Sequence, residues 1–344
     1  MKKPSILLKY VLLFAFVVFT QTKVNPAFAQ TGRALDSQLP NLQTNRWPKH
    51  TVRILVGFPP GSTPDMIART IAEPLTKSLG QTVIVENHVG VSGNLAAQMV
   101  SKAQDDHTLG LMINGNLTTA KLLYPSLEFE PLKDFTPISL IADSPLVLVA
   151  SVNLPSGKAF IKVVQSQGKK WNYGSVGTGS MAHLAMEALK ASNPGFEPVH
   201  IPYPGNPGVL NALMSGEIQM ALVPVGVAMP LIHGEKIQAI GLLGGRSILA
   251  PSTATLTELG LSGAATQLKV WDALVGPKSL SGDAQTRLSK ELRLLLQSSE
   301  LRTQLFNQGW ILRGGTDEAL KNVMSSEYLL MQSLISKNKI YISQ

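Results

Sequence analysis

Cysteine is absent from the 344 residues, which excludes a disulfide framework and any thiolate metal site. Aromatic residues make up only 6%, and Lys and Arg never gather into a run. A basic stripe interleaved with aromatics is therefore missing, and nucleic-acid binding is not supported. There is no Gly-x-Ser-x-Gly elbow, which argues against an α/β-type serine hydrolase. There is also no His-Glu-x-x-His, and the histidines, at 50, 88, 107, 183, 200 and 233, are scattered, so neither a metal nor a cofactor is expected.

Long apolar runs are missing too. Val11–Phe19 is a run of nine residues behind Lys2, Lys3 and Lys9, and Ala27 and Ala29 follow in "AFAQ". A membrane span needs about 20 apolar residues. The layout is instead that of a secretory signal peptide over residues 1–29, cleaved after Ala29, which implies a periplasmic protein. Of the net charge of +8, four units come from Lys2, Lys3, Lys9 and Lys23, leaving +4 on a mature chain. That mild excess suits an anionic small ligand.

Residues 30–46 are polar and aperiodic and read as a lead. From Trp47 short apolar runs alternate with amphipathic ones. Strands are expected at 52–56, 82–85, 109–113, 146–150, 171–173, 199–201, 220–223, 239–242 and 273–275. Helices are expected at 64–79, 94–102, 181–190, 207–214, 227–233, 281–297, 300–308 and 316–335. Such alternation implies βαβ units and parallel sheets. The region after Gly276 shows helices and no clear strand. A helical C-terminus that packs back on the first domain makes that domain discontinuous and brings the two interdomain crossings together as a hinge.

The loop "GFPPGSTPD", Gly57–Asp65, lies between an expected strand and helix. Thr63 suits an N-cap and Pro64 the first helical position. A helix start leaves outward amides and a positive dipole end, and Gly61 lets a ligand approach, so the loop suits a carboxylate. Asp65 in the first turn caps its own helix. Alone, the loop reads better as an ordinary tight turn, but "ENHVGVSGN", "NGNLTT" and "GSVGTGSMAH" repeat the pattern after other strands. Open α/β sheets bind ligands at such carboxyl ends. "GTGSMA" also matches a dinucleotide fingerprint, with Glu197 at the right distance, but that acid precedes the next strand and the chain is exported. Ser180 and His183 have helical i, i+3 spacing; the expectation is a cap and a loop hydrogen bond rather than a nucleophile and base.

"WPKHTVRILVGFPPGSTPDMIAR", "VIVENHVGVSGNLAAQMVSKA", "INGNLTTAKLLYP", "NYGSVGTGSMAHLAMEAL", "IPYPGNPGVLNALMSGEIQMAL" and "VWDALVGP" occur in this order. Together they resemble the periplasmic solute-binding proteins of tripartite tricarboxylate transporters, the Bug or TctC-like family, from about Trp47 to the C-terminus. The resemblance implies a type II periplasmic-binding fold of two doubly wound α/β domains, 47–140 plus 272–344 and 141–271, joined by a hinge. It also implies a monomer that binds a small carboxylate between βα loops without catalysis, mainly through backbone amides and waters. Carried onto this chain, the ligand-binding positions are Phe58, Pro60, Gly61, Ser62 and Thr63, then Asn114 and Asn116, then Gly177, Thr178, Gly179, Ser180 and His183. Ser62 stands where the family usually has glycine. Where members often place an acid facing the cleft, this chain has Val223, which points to a ligand without an amine. Partners on this reading are permease subunits or, alternatively, a sensor kinase; an exported hydrolase using Ser180 and His183 is a weaker alternative. Intact-mass measurement on periplasmic protein should find a mature chain that begins at Gln30; a full-length chain held in the membrane would contradict this.

Overall fold

The computed structural model describes residues 47–338 and 340, apart from 264, 266 and 267. The signal-peptide and lead segments fall outside the described residues.

The run Val52–Val56 forms β1, with Val52, Ile54 and Val56 packed into one buried cluster and Leu55 into another. A strand apolar on both sides belongs at the centre of a covered sheet. β2 (Val83–Asn87) and β3 (Thr108–Ile113) flank it in parallel, with Ile54 opposite Val85 on one side and Leu109 on the other. β10 (Val270–Pro277) pairs antiparallel with β3, and β4 (Phe135–Ser144) pairs antiparallel with β10. With β11 (Ile311–Leu312) at the edge, the first sheet has the order β11-β4-β10-β3-β1-β2.

The second sheet has the order β7-β6-β8-β5-β9. Its strands are β5 (Leu146–Ser151), β6 (Asn172–Ser175), β7 (Val199–Pro202), β8 (Met220–Pro224) and β9 (Ile237–Leu242). β6 runs parallel to β7 and β8, and β5 antiparallel to β8 and β9. Two α/β lobes result, with Pro145 as the single residue between β4 of one sheet and β5 of the other. The return passes through Leu268 and Lys269 into β10.

Four strands or α-helices escape the sequence pattern, the first being α3 (Ala120–Leu123), a single turn too short to show a period. β4 contains Pro137 and is followed by Pro145, and proline demotes a strand. Pro137 is accommodated because β11 pairs only with Ala142 and Asp143, and because the β10 register shifts between Leu274 and Val275. α4 (Gly157–Gln167) presents a short apolar face of Phe160, Ile161 and Val164. β11, which corrects the expectation of no strand after Gly276, has two residues and no periodicity to detect.

The C-terminal helices cover the first sheet. α8 (Gly282–Leu295) and α9 (Ser299–Asn307) place Leu288, Leu292, Leu301 and Leu305 in the cluster around β1. α10 (Asp317–Lys337) straddles the lobes. Its Leu320 and Met324 join a first-lobe cluster, whereas Met331 and Leu334 join the main second-lobe cluster. Each fully buried side chain of this size contributes roughly 1.5–3 kcal/mol, so lobe separation that unpacked both Met331 and Leu334 would cost several kcal/mol.

Backbone also meets backbone between the lobes. Gly226 lies in the first turn of α7 (Val225–His233), and a Cβ there would come within 1.8 Å of the Gln308 carbonyl oxygen. Gly309 has φ 79° and a Cβ on it would lie 2.0 Å from Gly226 Cα. Neither atom can move without shifting the chain. Gly226→Ala should therefore lower stability by about 1–3 kcal/mol, seen as a lower melting temperature; an unchanged melting curve would show that the two turns do not touch in solution.

Candidate functional site

The first loop joins β1 to α1 (Thr63–Leu79). Ser62, not Thr63, holds the N-cap position, and its side chain makes no capping bond. Asp65 organises the turn: Oδ2 accepts from Gly61 N at 2.9 Å, and Oδ1 accepts from Asn87 Nδ2 at 2.9 Å and Arg69 Nε at 3.0 Å. Burial pushes the Asp65 carboxyl up, but the bonds from Arg69, Asn87 and Gly61 outweigh it and hold the group below the usual range. Asn87 Nδ2 also donates to Phe58 O at 2.8 Å. Ser62 Oγ is buried and lacks a partner among the described residues. Pro60 lies exposed at the turn, and Thr63 is buried.

The second loop precedes α2 (Asn94–Lys102) and is strained. Val91, Ser92 and Gly93 have φ of 44°, 57° and 86°. A left-handed β-branched residue is a true outlier, of a kind that collects at functional sites. Asn116 braces it, donating from Nδ2 to Ser92 O at 3.0 Å and to Asn94 Oδ1 at 2.8 Å. Phe58 packs on Gly93, where an added Cβ would lie 2.6 Å from the ring.

The third loop, Gly115–Thr119, is a π-helical turn, a form that often marks functional positions. Thr119 Oγ1 donates to Gly179 O of the other lobe at 3.0 Å, and Tyr124 OH donates to Thr178 O at 3.0 Å. Asn114 turns away from this contact. Its Nδ2 donates to Lys269 O at 3.1 Å and to Glu327 Oε1 at 3.0 Å. Burial raises the Glu327 carboxyl to about 7, against the bonds from Trp271, Asn114 and Thr118.

From the second lobe, the loop before α5 (Met181–Ser192) meets Ser92; a Cβ on Gly177 would fall 2.3 Å from Ser92 Oγ. Its amides are mostly used internally. Gly177 N donates to Ser175 Oγ at 3.2 Å, Ser180 N to Gly177 O at 3.2 Å, and Gly179 N to His183 Nδ1 at 3.1 Å. Ser180 Oγ accepts from the main-chain N of His183 at 3.4 Å, so the pair forms a cap and not a nucleophile with its base. The His183 ring lies beneath the loop, 4.2 Å from that of His200, whose Nε2 is 2.7 Å from Ser175 Oγ.

Two assignments change. Val223 is fully buried in β8, opposite Val147, and packs with Val149, Val209 and Ala228 in the second-lobe core. It does not face the cleft, because both faces of β8 are covered. His183 supports the loop from behind. One contributor was missed: α6 (Asn206–Ser215) starts directly opposite α1. Asn206 Nδ2 lies 3.5 Å from Thr63 Oγ1, Asn206 Oδ1 is buried without a partner among the described residues, and a Cβ on Gly205 would lie 3.1 Å from Pro59. The signal was available, since "YPGNPG" is another Gly- and Asn-bearing loop after a strand.

Helix starts from both lobes thus meet in one interface. Between the lobes remains a cavity of about 10 Å³, room for about one water, lined among others by Ser92, Asn116, Thr119, Tyr124, Thr178 and Ser180. Residues 67–337 match the family described as tripartite tricarboxylate transporter family receptor, TctC. The chain belongs to this family. Protein BugT of Bordetella pertussis is 28% identical over 273 residues, covering 78% of this chain and 83% of that one. An R. palustris protein solved with adipate superposes with a TM-score of 0.81 at 27% identity, covering 86% of this chain and 99% of its own. MatC from Rhodopseudomonas palustris with bound malate gives 0.77 at 27%, covering 84% and 100%. The two-lobed α/β architecture is accordingly the type II periplasmic-binding fold of this TctC receptor family.

Burial lowers His183 to about 4, and burial followed by the neighbouring His183 lowers His200 to about 3. Both are neutral in the fold at pH 7, and a neutral His183 that accepts at Nδ1 carries its proton on Nε2. In the unfolded chain both take protons below about 6.5. Each therefore subtracts stability as pH falls below that value, until the folded ring itself protonates. Nitrogen-detected NMR should find both rings neutral at pH 5 with His183 as the Nε2–H tautomer; a charged ring at pH 6 would show the loop to be open and hydrated.

Proposed function

We propose that this TctC-family receptor is exported and captures a small dicarboxylate between its lobes, without catalysis, for the permease of a tripartite tricarboxylate transporter. The observation that carries the proposal is the meeting of the α1, α5 and α6 N-termini across the lobes, with Ser62 Oγ and Asn206 Oδ1 buried and unpartnered there. Helix starts favour anions through outward amides and the dipole. The amides of Gly61, Ser62, Gly177, Gly179 and Ser180 are committed within their own loops. The donors proposed for the carboxylate are instead Thr63 and Asp65 of the α1 start and Thr178, Met181 and Ala182 of the α5 start. An anion between them requires the lobes to part from the arrangement described, which leaves only about one water's room.

The adipate and malate of the related structures support a ligand with two carboxylates. The residues around the remaining cavity include no acid, and Asp65 is already shared by Arg69, Asn87 and Gly61. An ammonium in the closed cleft would lose hydration without a counterion. The periplasmic assignment rests on the N-terminal layout and on the family.

Mass spectrometry of ligand retained through purification identifies the class, and calorimetry compares succinate with aspartate. Succinate should bind the more tightly. Asn206→Leu removes a polar group from the interface at a cost of roughly 1–3 kcal/mol, so it should weaken succinate about tenfold to a hundredfold. Tighter binding of aspartate, or undiminished binding by a folded Asn206→Leu, would place recognition elsewhere.

A further inference from the structure

Behind the cleft, at the hinge, lies a second concavity of about 290 Å³. It is lined by both interdomain crossings, Pro145 and Lys269, by Arg246 on the second-lobe turn after β9, and by Arg313 just past β11 on the first. Its only acid among the described residues is Asp143. That carboxylate is buried, with its side chain 3% exposed, and carries two cations on one oxygen: Arg313 Nε at 2.8 Å and Lys269 Nζ. Arg246 is held from outside the pocket by Glu258 at 3.0 Å. After both acids are counted, one positive charge is left over. The turn beside Arg246 is stripped of side chains: Gly244 has φ 92° and an added Cβ on Gly245 would meet nothing within 4 Å.

We propose that this hinge pocket is a second ligand site, for a small multivalent oxyanion, and that its occupancy is coupled to the cleft. Arg313 belongs to the first lobe, Arg246 to the second, and Lys269 to the crossing that leads into β10. An anion that contacts all three bridges the lobes at their pivot. Guanidinium groups favour such oxyanions because their paired N–H groups match two oxygens. The route to the cleft is short. The Lys269 carbonyl accepts from Asn114 Nδ2, Asn114 O accepts from Thr118 Oγ1 at 2.7 Å, and neighbouring Thr119 bonds Gly179 of the opposite lobe. Lobe rotation changes the Arg246–Arg313 separation, so an anion bridging them binds one lobe angle better than another. Any such preference alters the affinity of the cleft by the same factor that cleft occupancy alters the pocket's.

Pyrophosphate is a suitable probe, titrated calorimetrically into the mature chain. The test uses wild type, the double variant Arg246→Ser with Lys269→Met, and the cleft variant Asn206→Leu. Asp143 keeps Arg313 in the double variant, and Glu258 keeps its 2.8 Å bond from Thr255 N, so the fold should persist with an unchanged circular dichroism spectrum. The double variant should weaken pyrophosphate about tenfold or more, as expected for the loss of two charge-assisted contacts, while Asn206→Leu binds it as wild type does. Saturating pyrophosphate should also shift the succinate affinity of wild type and not of the double variant. Pyrophosphate binding that survives the double variant, is lost with Asn206→Leu, or is undetectable in wild type overturns the hinge site. The cleft proposal is judged separately, by succinate and aspartate titrations of wild type and Asn206→Leu without pyrophosphate.

Discussion

The closed arrangement depends on backbone approaching backbone where the lobes and their loops meet. Gly57 faces Gly93, with an added Cβ 2.4 Å from the Gly93 Cα; Gly177 faces Ser92; Gly226 faces Gly309. At each place a single methyl group would overlap main chain or a short side chain. Overlap at that distance is relieved only by moving a whole segment, because packed interiors do not yield locally. The Gly57–Gly93 contact fixes two loops of the first lobe, and the other two set how closely the lobes approach. That distance decides whether helix-start donors from opposite sides can reach one small anion. Side chains then act as braces: Asn87 and Asp65 shape the first loop, Asn116 the second and His183 the fourth.

This division of labour explains what was legible in the sequence. "GFPPGSTPD" and "GSVGTGSMAH" announce themselves because a tight strand-to-helix turn requires glycine, proline and capping hydroxyls at fixed offsets. Which atoms the loops leave free was not legible. That depends on partners distant in sequence, such as Asn87 for Phe58 and His183 for Gly179. Asn114 and Asn116 were assigned to the ligand by the resemblance; that Asn114 also holds the Lys269 carbonyl and Asn116 the Ser92 carbonyl, a common use of asparagine in irregular turns, was not legible. Val223 was placed at the cleft by the resemblance alone, and β8, buried on both faces, offers no apolar alternation that would have assigned its side.

The hinge was less legible still. β4 is interrupted by Pro137, and the cations of the hinge pocket come from positions 246, 269 and 313, with Asp143 as their shared counterion. No local pattern joins these positions. They come together because β4 and β10 lie side by side in the first sheet while the chain between them builds the second lobe. The same neighbourhood holds Asp272, buried in β10 with neither carboxylate oxygen partnered among the described residues, and burial pushes its carboxyl far above the usual range. A protonated Asp272 avoids the cost of an unpaired buried charge.

The two regions solve opposite electrostatic problems with one backbone. In the cleft, Asp65 is bound internally by Gly61, Asn87 and Arg69, so its charge is offset within its own loop. The donors left there are dipolar amides, which select for negative charge but read little else about a guest. Among the side chains that enter the interface, Ser62 Oγ and Asn206 Oδ1 are buried without a partner among the described residues, while Asn206 Nδ2 reaches Thr63 Oγ1. At the hinge, full charges replace dipoles because the groups there stay partly exposed, with Lys269 and Arg313 about half open to solvent. Water keeps those cations inexpensive while the lobes move, whereas the buried cleft could not hold an unpaired arginine at all.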